Sequence, residues 1–61
     1  MKTLEELCEF INSNEDWNLR VNDIISENNW IDETGSDYGI CNDGKRRLQF
    51  SSNMEAEIVE L

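Results

Sequence analysis

Tyr38-Gly39-Ile40-Cys41-Asn42-Asp43-Gly44-Lys45-Arg46-Arg47-Leu48-Gln49-Phe50 is the stretch on which the fold turns. Residues 38–41 and 45–50 carry aromatic and β-branched side chains and read as two strands around the turn-forming Asn42-Asp43-Gly44. The loop length follows from the side chains. A two-residue Asp43-Gly44 loop sets Ile40 opposite Arg47 and Tyr38 opposite Gln49, scattering apolar groups over both faces. A three-residue loop with Gly44 left-handed gathers Tyr38, Ile40, Leu48 and Phe50 on one face. A slip of one residue turns every side chain over, so burial selects the second register. Cys41, Lys45, Arg47 and Gln49 then point the other way, which makes Cys41 a surface thiol near Lys45.

Downstream, Met54, Ala56 and Ile58 alternate as in a strand, while Ser52-Asn53-Met54-Glu55 has the form of a helix cap leading to Met54, Ile58 and Leu61 on one face. A lone hairpin is marginal in water, and a third strand over about 54–60 needs only the short Ser51-Ser52-Asn53 connection, so the strand is preferred. Upstream, Thr34-Gly35-Ser36-Asp37 reads as a turn. Thr3-Leu4-Glu5-Glu6 is a capping box, and Leu4, Leu7, Cys8 and Ile11 follow on one helical face, predicting a helix over about 3–12. Trp17, Val21, Ile24 and Ile25 repeat the pattern, predicting a second helix over about 18–28, capped by Asn18 or else beginning earlier, near Ser13, with Asn28-Asn29 as a left-handed end. The expected fold is α+β: two N-terminal helices packed on a small antiparallel sheet of two or three strands, in one domain spanning 1–61. Its core holds Leu4, Leu7, Ile11, Val21, Ile24, Ile25, Ile40, Leu48 and Phe50, with Trp17 and Trp30 at the margins.

Composition narrows the function. Fourteen Asp and Glu face five Lys and Arg in 61 residues, a net charge of −9, and eight Asn add polar surface. Such a chain repels nucleic acid and anionic membrane and attracts basic surfaces. The plainer reading of the acidity is solubility alone. Two Cys are too few for a disulfide framework and match no metal motif, so a reducing cytoplasm is the expected compartment. Helix-forming pattern starts almost at Met1, leaving no stretch that reads as a targeting segment, and no apolar run approaches the roughly 20 residues of a membrane span.

The residues offer little catalytic chemistry. There is no His, the commonest general base and metal ligand. The three Gly form no phosphate-cradling loop. Paired carboxylates such as Asp32 and Glu33 do chemistry only where walls raise one pKa, and so small a domain lacks such walls. A calcium loop starting at Asp32 needs Gly at its sixth position and Glu at its twelfth, where Asp37 and Asp43 stand. The expectation is a non-enzymatic protein with no cofactor and no metal. Lys45-Arg46-Arg47 supplies three of the five cations; without them the rest carries −12. Three charges make a weak nucleic-acid site, and salt bridges to neighbouring acids, or protection of a strand edge, account for them better.

What remains is a distributed acidity. Glu5 and Glu9 lie one helical turn apart, about 6 Å along the axis. Glu15, Asp16, Asp23, Glu27, Asp32, Glu33 and Asp37 continue it. Carboxylates at such a step imitate the phosphates of one nucleic-acid strand and exploit the same positive groove. In size, charge, lack of cofactor chemistry and compact α+β pattern the chain resembles small acidic phage-encoded inhibitors of host defence, the nucleic-acid-mimicking anti-CRISPR proteins among them. The resemblance covers composition over the whole chain and no specific motif. It implies a monomer in the bacterial cytoplasm whose partner is a protein with a basic, nucleic-acid-binding surface, with no direct contact to nucleic acid or membrane. The nine acids just named are then the expected partner-binding residues. Two other readings stand beside it: a regulatory or structural subunit, antitoxin-like, docking through Trp17 and Trp30, and self-association through an exposed sheet edge.

Overall fold

A computed structural model describes residues 3–61; Met1 and Lys2, the first residues of the expected 1–61 domain, lie outside the described residues. The helix α1 spans Leu4–Ser13 and Thr3 caps it as expected, though the Glu6 carboxylate meets the Thr3 hydroxyl and not its N–H. The Glu6 N–H donates to the Thr3 hydroxyl oxygen at 3.1 Å, and that hydroxyl donates to the Glu6 carboxylate at 3.2 Å. At its end the Ser13 hydroxyl donates to the Glu9 carbonyl and the Asn14 amide to the Phe10 carbonyl, the latter one of the last four acceptors of the helix. Leu4, Leu7 and Ile11 are buried.

The expected helix over 18–28 is broken in two. A 3₁₀ turn, Trp17–Leu19, precedes the helix α2, Val21–Glu27. Asn18 does not cap α2, which has no side-chain cap; the turn leads the chain in through Arg20 N–H to Trp17 O and Ile24 N–H to Arg20 O. The break leaves Trp17 against Phe50, ring centres 5.4 Å apart, while Val21, Ile24 and Ile25 enter the core. The helix ends where the asparagines predict. Asn29 takes a left-handed φ of 57°, its N–H bonds to Ser26 O, and the Trp30 N–H bonds to Ile25 O. This pair of bonds is the Schellman motif, and it aims the chain at the sheet.

The sheet has four antiparallel strands in the order β1-β2-β3-β4, where two or three are expected from the sequence: β1 Ile31–Asp32, β2 Gly39–Asn42, β3 Arg46–Phe50 and β4 Ala56–Glu60. The additional strand is β1, paired as Ile31↔Asn42 and Asp32↔Cys41. Two residues are too short to show alternation, so the strand is visible only through its partner. Of the stretch expected as a strand over 54–60, residues 56–60 form β4 and not a helix, while Met54 falls in the turn before it and is exposed.

At its open end the hairpin β2–β3 keeps the expected face alternation but lies two residues from the register of an Asn42-Asp43-Gly44 loop: Gly39 pairs with Gln49 and not with Arg47, and the Phe50 N–H bonds to Tyr38 O. A β-bulge then sets Ile40 and Cys41 together opposite Leu48, and beyond it the register is shifted by one, with Asn42 opposite Arg47. The loop shrinks to Gly44 and Lys45 between Asp43 and Arg46, and Gly44 keeps its left-handed φ, 91°. The bulge brings both Ile40 and Cys41 into the core, so Cys41 is fully buried and is not the expected surface thiol. Tyr38, expected on the buried face, is exposed, because β2 begins only at Gly39 and Trp17 occupies the neighbourhood of Phe50.

Along β3 alternate side chains divide between faces. Leu48 is fully buried under the helices and Arg46 reaches Glu5 of α1, whereas Arg47 projects from the opposite face to Glu33 and Ser36. The helix α1 packs on β3 and β4, and α2 lies against β1. The core is Leu4, Leu7, Ile11, Val21, Ile24, Ile25, Ile40, Cys41, Leu48 and Ala56, with Phe50, Trp17 and Trp30 half-buried at its border.

Candidate partner-binding surface

The nine acids expected at the site do not share one environment. Glu5 is engaged by Arg46 through both carboxylate oxygens, at 2.5 and 2.9 Å. That guanidinium holds the Glu5 carboxyl below the usual carboxylate range. Glu33 pairs with Arg47 at 2.9 Å on the other face, and the two facing atoms, Glu33 Oε2 and Arg47 Nε, are buried and neutralise each other. Asp32 accepts from the Thr34 hydroxyl at 2.7 Å and its N–H at 2.8 Å, and both bonds lower its pKa. Three of the nine are therefore committed to the fold. Two cations of the Lys45-Arg46-Arg47 run are explained by the same pairs: Arg46 and Arg47 tie α1 and the 33–38 segment to opposite faces of a central strand, and guard no edge.

Glu9, Glu15 and Asp16 are brought together. A depression of about 300 Å³ is lined by Glu6, Glu9, Phe10, Ser13 and Asn14. A second, of about 350 Å³, is lined by Phe10, Asn14, Glu15, Asp16, Leu19 and Arg20. They share Phe10 and Asn14, so the two depressions, each lined by two acids, meet at one half-buried aromatic residue. Among the described residues none of the four forms a salt bridge. Leu19, 75% exposed, adds an apolar lip. The bend that builds this surface is the end of α1 at Ser13 followed at once by the 3₁₀ turn. Glu6 belongs to the group although its cap role hid it from the sequence reading; it stands three and four positions before Glu9 and Phe10 on α1 and lines the first depression with them. Asp23 and Glu27 lie exposed on α2, and Asp37 lies exposed in the loop before β2; none of the three lines either depression.

The remaining chemistry is quiet. Burial, reinforced by Glu33, Asp32 and Asp43, pushes the Cys41 thiol up to about 12, and burial likewise raises Cys8. Both thiols stay protonated at neutral pH and are poor nucleophiles. The Cys8 thiol donates to the Ala56 carbonyl at 3.2 Å. Among the described residues no three His, Cys, Asp or Glu side chains converge as a metal site needs, and no helix is long and apolar enough to cross a membrane. Comparison with protein-family models, curated proteins and solved structures finds no match.

Proposed function

We propose that this chain is a non-enzymatic acidic binding protein that occupies a basic, nucleic-acid-binding surface of another protein, in the manner of a phage-encoded inhibitor of a prokaryotic defence complex acting in the bacterial cytoplasm. The observation that carries the reading is the group Glu6, Glu9, Glu15 and Asp16 lining the two depressions that meet at Phe10, on a chain whose net charge is −9. Four carboxylates that form no salt bridge among the described residues, with Arg20 lining the second depression beside Glu15 and Asp16, present a net negative charge that a basic surface would complement. Phe10 and Leu19 add an apolar contact that water-exposed acids alone lack. The aromatic-docking alternative is less favoured, since Trp17 is turned inward onto Phe50.

The test is competition. A nucleic-acid-binding protein captured from a bacterial lysate at low salt is loaded with labelled DNA and titrated with this chain. Displacement is expected, with affinity falling steeply as salt rises and the Debye length shrinks from about 10 Å to about 3 Å. The variant Glu6→Gln, Glu9→Gln, Glu15→Gln, Asp16→Asn should lose most of the displacement, while Asp23→Asn with Glu27→Gln should keep it. A captured partner that stays bound at about 1 M salt, or that the fourfold variant binds undiminished, rejects the reading.

A further inference from the structure

The hydrogen-bond phase of β4 leaves part of its outer edge open. In an antiparallel ladder, opposed residues alternate between pairs bonded to each other and pairs whose N–H and C=O point away. The Ser51 N–H bonds to Glu55 O at 2.8 Å and the Leu61 N–H to Lys45 O at 3.2 Å. With the register Gln49↔Glu57 and Arg47↔Val59, these bonds place Ala56, Ile58 and Glu60 at the outward-pointing positions. Ala56 confirms the phase. Its N–H donates to Asn12 Oδ1 at 2.9 Å, and its carbonyl accepts from Asn12 Nδ2 at 3.1 Å and from the Cys8 thiol. The Asn12 amide thus occupies the edge at Ala56 as a peptide group of a neighbouring strand would. Among the described residues nothing does the same at Ile58 or Glu60, whose two N–H and two C=O groups meet no hydrogen-bond partner.

Edges of this kind are usually blunted by charged side chains, Lys above all, by Pro or by a bulge. The strand β4, Ala-Glu-Ile-Val-Glu, has no Lys, Pro or bulge; its only guards are Glu57 and Glu60, and it pairs with β3 over five residues without interruption. Its charges are all negative. A second copy of the chain would bring a net −9 against −9. A basic strand would instead set cations beside Glu57 on one face and Glu60 on the other, the cross-strand arrangement that stabilises a sheet. Between them Ile58 and Val59, both half-buried, offer aliphatic contact.

We propose that the outer edge of β4 takes an extended basic segment of the partner as a fifth, antiparallel strand, its backbone bonded to Ile58 and Glu60 and its Lys or Arg side chains opposite Glu57 and Glu60. The segment has the pattern basic–aliphatic–aliphatic–basic. The basic character of the partner rests on the function proposed above; the edge geometry does not.

The experiment uses the full chain labelled with ¹⁵N and a capped peptide, Thr-Lys-Val-Ile-Lys-Thr, with a Glu-for-Lys version as control. The basic peptide should shift the Ile58 and Glu60 amides and slow their hydrogen exchange. Glu60→Pro removes an outward N–H and no bond of the β3–β4 ladder, so the fold should persist while peptide affinity falls roughly tenfold or more. Glu60→Gln keeps the N–H and should lose only about two- to threefold. Equal binding of the acidic peptide, shifts confined to Phe10, Asn14 and Leu19, or a concentration-dependent dimer that protects Ile58 and Glu60 without peptide would each overturn the proposal. A partner displaced from DNA equally well by wild type and Glu60→Pro, but not by the fourfold acid variant, would reject the edge and leave the function standing.

Discussion

The hairpin β2–β3 turns through Gly44 at φ 91°, a conformation that suits glycine, whereas β3–β4 turns through Met54 at φ 64°, where a side chain costs roughly 1–2 kcal/mol. Their ladders show the opposite order. The first is bulged at Ile40 and Cys41, and the second runs unbroken from Arg46↔Glu60 to Phe50↔Ala56. The local chemistry of the first loop is well matched: Asn42 Oδ1 accepts from the Gly44 N–H, and Asp43 Oδ1 from the Lys45 and Arg46 N–H groups. Its ladder is bent because the core needs both Ile40 and Cys41. The second hairpin tolerates a strained loop because α1 grips β4 through Asn12 and Cys8. Loop quality and ladder regularity are therefore set by different forces, one local and one tertiary.

The largest test of this contrast is Gly39→Ala. A Cβ there would run into Ser36 Oγ and Arg47 Nη2 and lie 3.0 Å from Glu33 Cβ, where the 33–38 segment folds over the sheet. The added methyl should destabilise by about 1–3 kcal/mol in urea unfolding, with exchange protection lost first around β1 and β2. Next comes Asn12→Ala, which strips both amide bonds from Ala56 and should cost about 1–2 kcal/mol. Here exchange should quicken in β4 before β2; the reverse order would show that α1 does not hold the second hairpin. Met54→Gly should act in the other direction. Met54 is 72% exposed, so little packing is lost, and relief of the left-handed strain should raise stability by up to about 1 kcal/mol. A destabilised glycine variant would mean that the methionine has a contact that compensates its backbone.

The smallest effect separates the loops by pH. Bonds from the Arg46 and Lys45 N–H groups hold the Asp43 carboxyl below its ordinary value. A depressed folded pKa adds stability that is present above the unfolded pKa, about 3.9, and is lost as pH falls through the lower folded value. Acidification below about pH 4 should therefore shift the Lys45 and Arg46 amides in NMR spectra. The Asn53 and Glu55 amides, which bond to the Ser51 hydroxyl oxygen, should move far less. Equal movement in both loops would dissolve the distinction.

The candidate surface was only partly legible. Net charge and the acids of 15–16 and of α1 were in view, but nothing in their spacing separates Glu5, taken by Arg46, from Glu9, left beside Phe10. Glu5 and Glu9 sit on one helical row, and the difference is made by an arginine 41 positions away in the chain. The same holds for Glu33, whose partner Arg47 arrives from β3. Ion pairs between distant segments depend on how the layers meet, which charge patterning does not encode.

Periodicity and turn chemistry alone determined the two N-terminal helical segments, the Thr3 cap, the left-handed Asn29 and the left-handed Gly44, because each rests on contacts within a few residues or on a helical repeat; the tail pattern admitted helix or strand, and pairing with β3 decided for the strand over 56–60. Tertiary structure decided the rest. β1 exists because the end of α2 lays Ile31 and Asp32 beside β2. Cys41 is buried because a bulge lets two neighbouring side chains share the core face, at no visible cost in the alternation pattern. The 3₁₀ turn replaces the start of the second helix so that Trp17 can meet Phe50. In each case the deciding contact joins different elements, from 7 positions apart at Cys41 and Leu48 to 33 at Trp17 and Phe50, and its energy appears only once helices and sheet have closed on a common core.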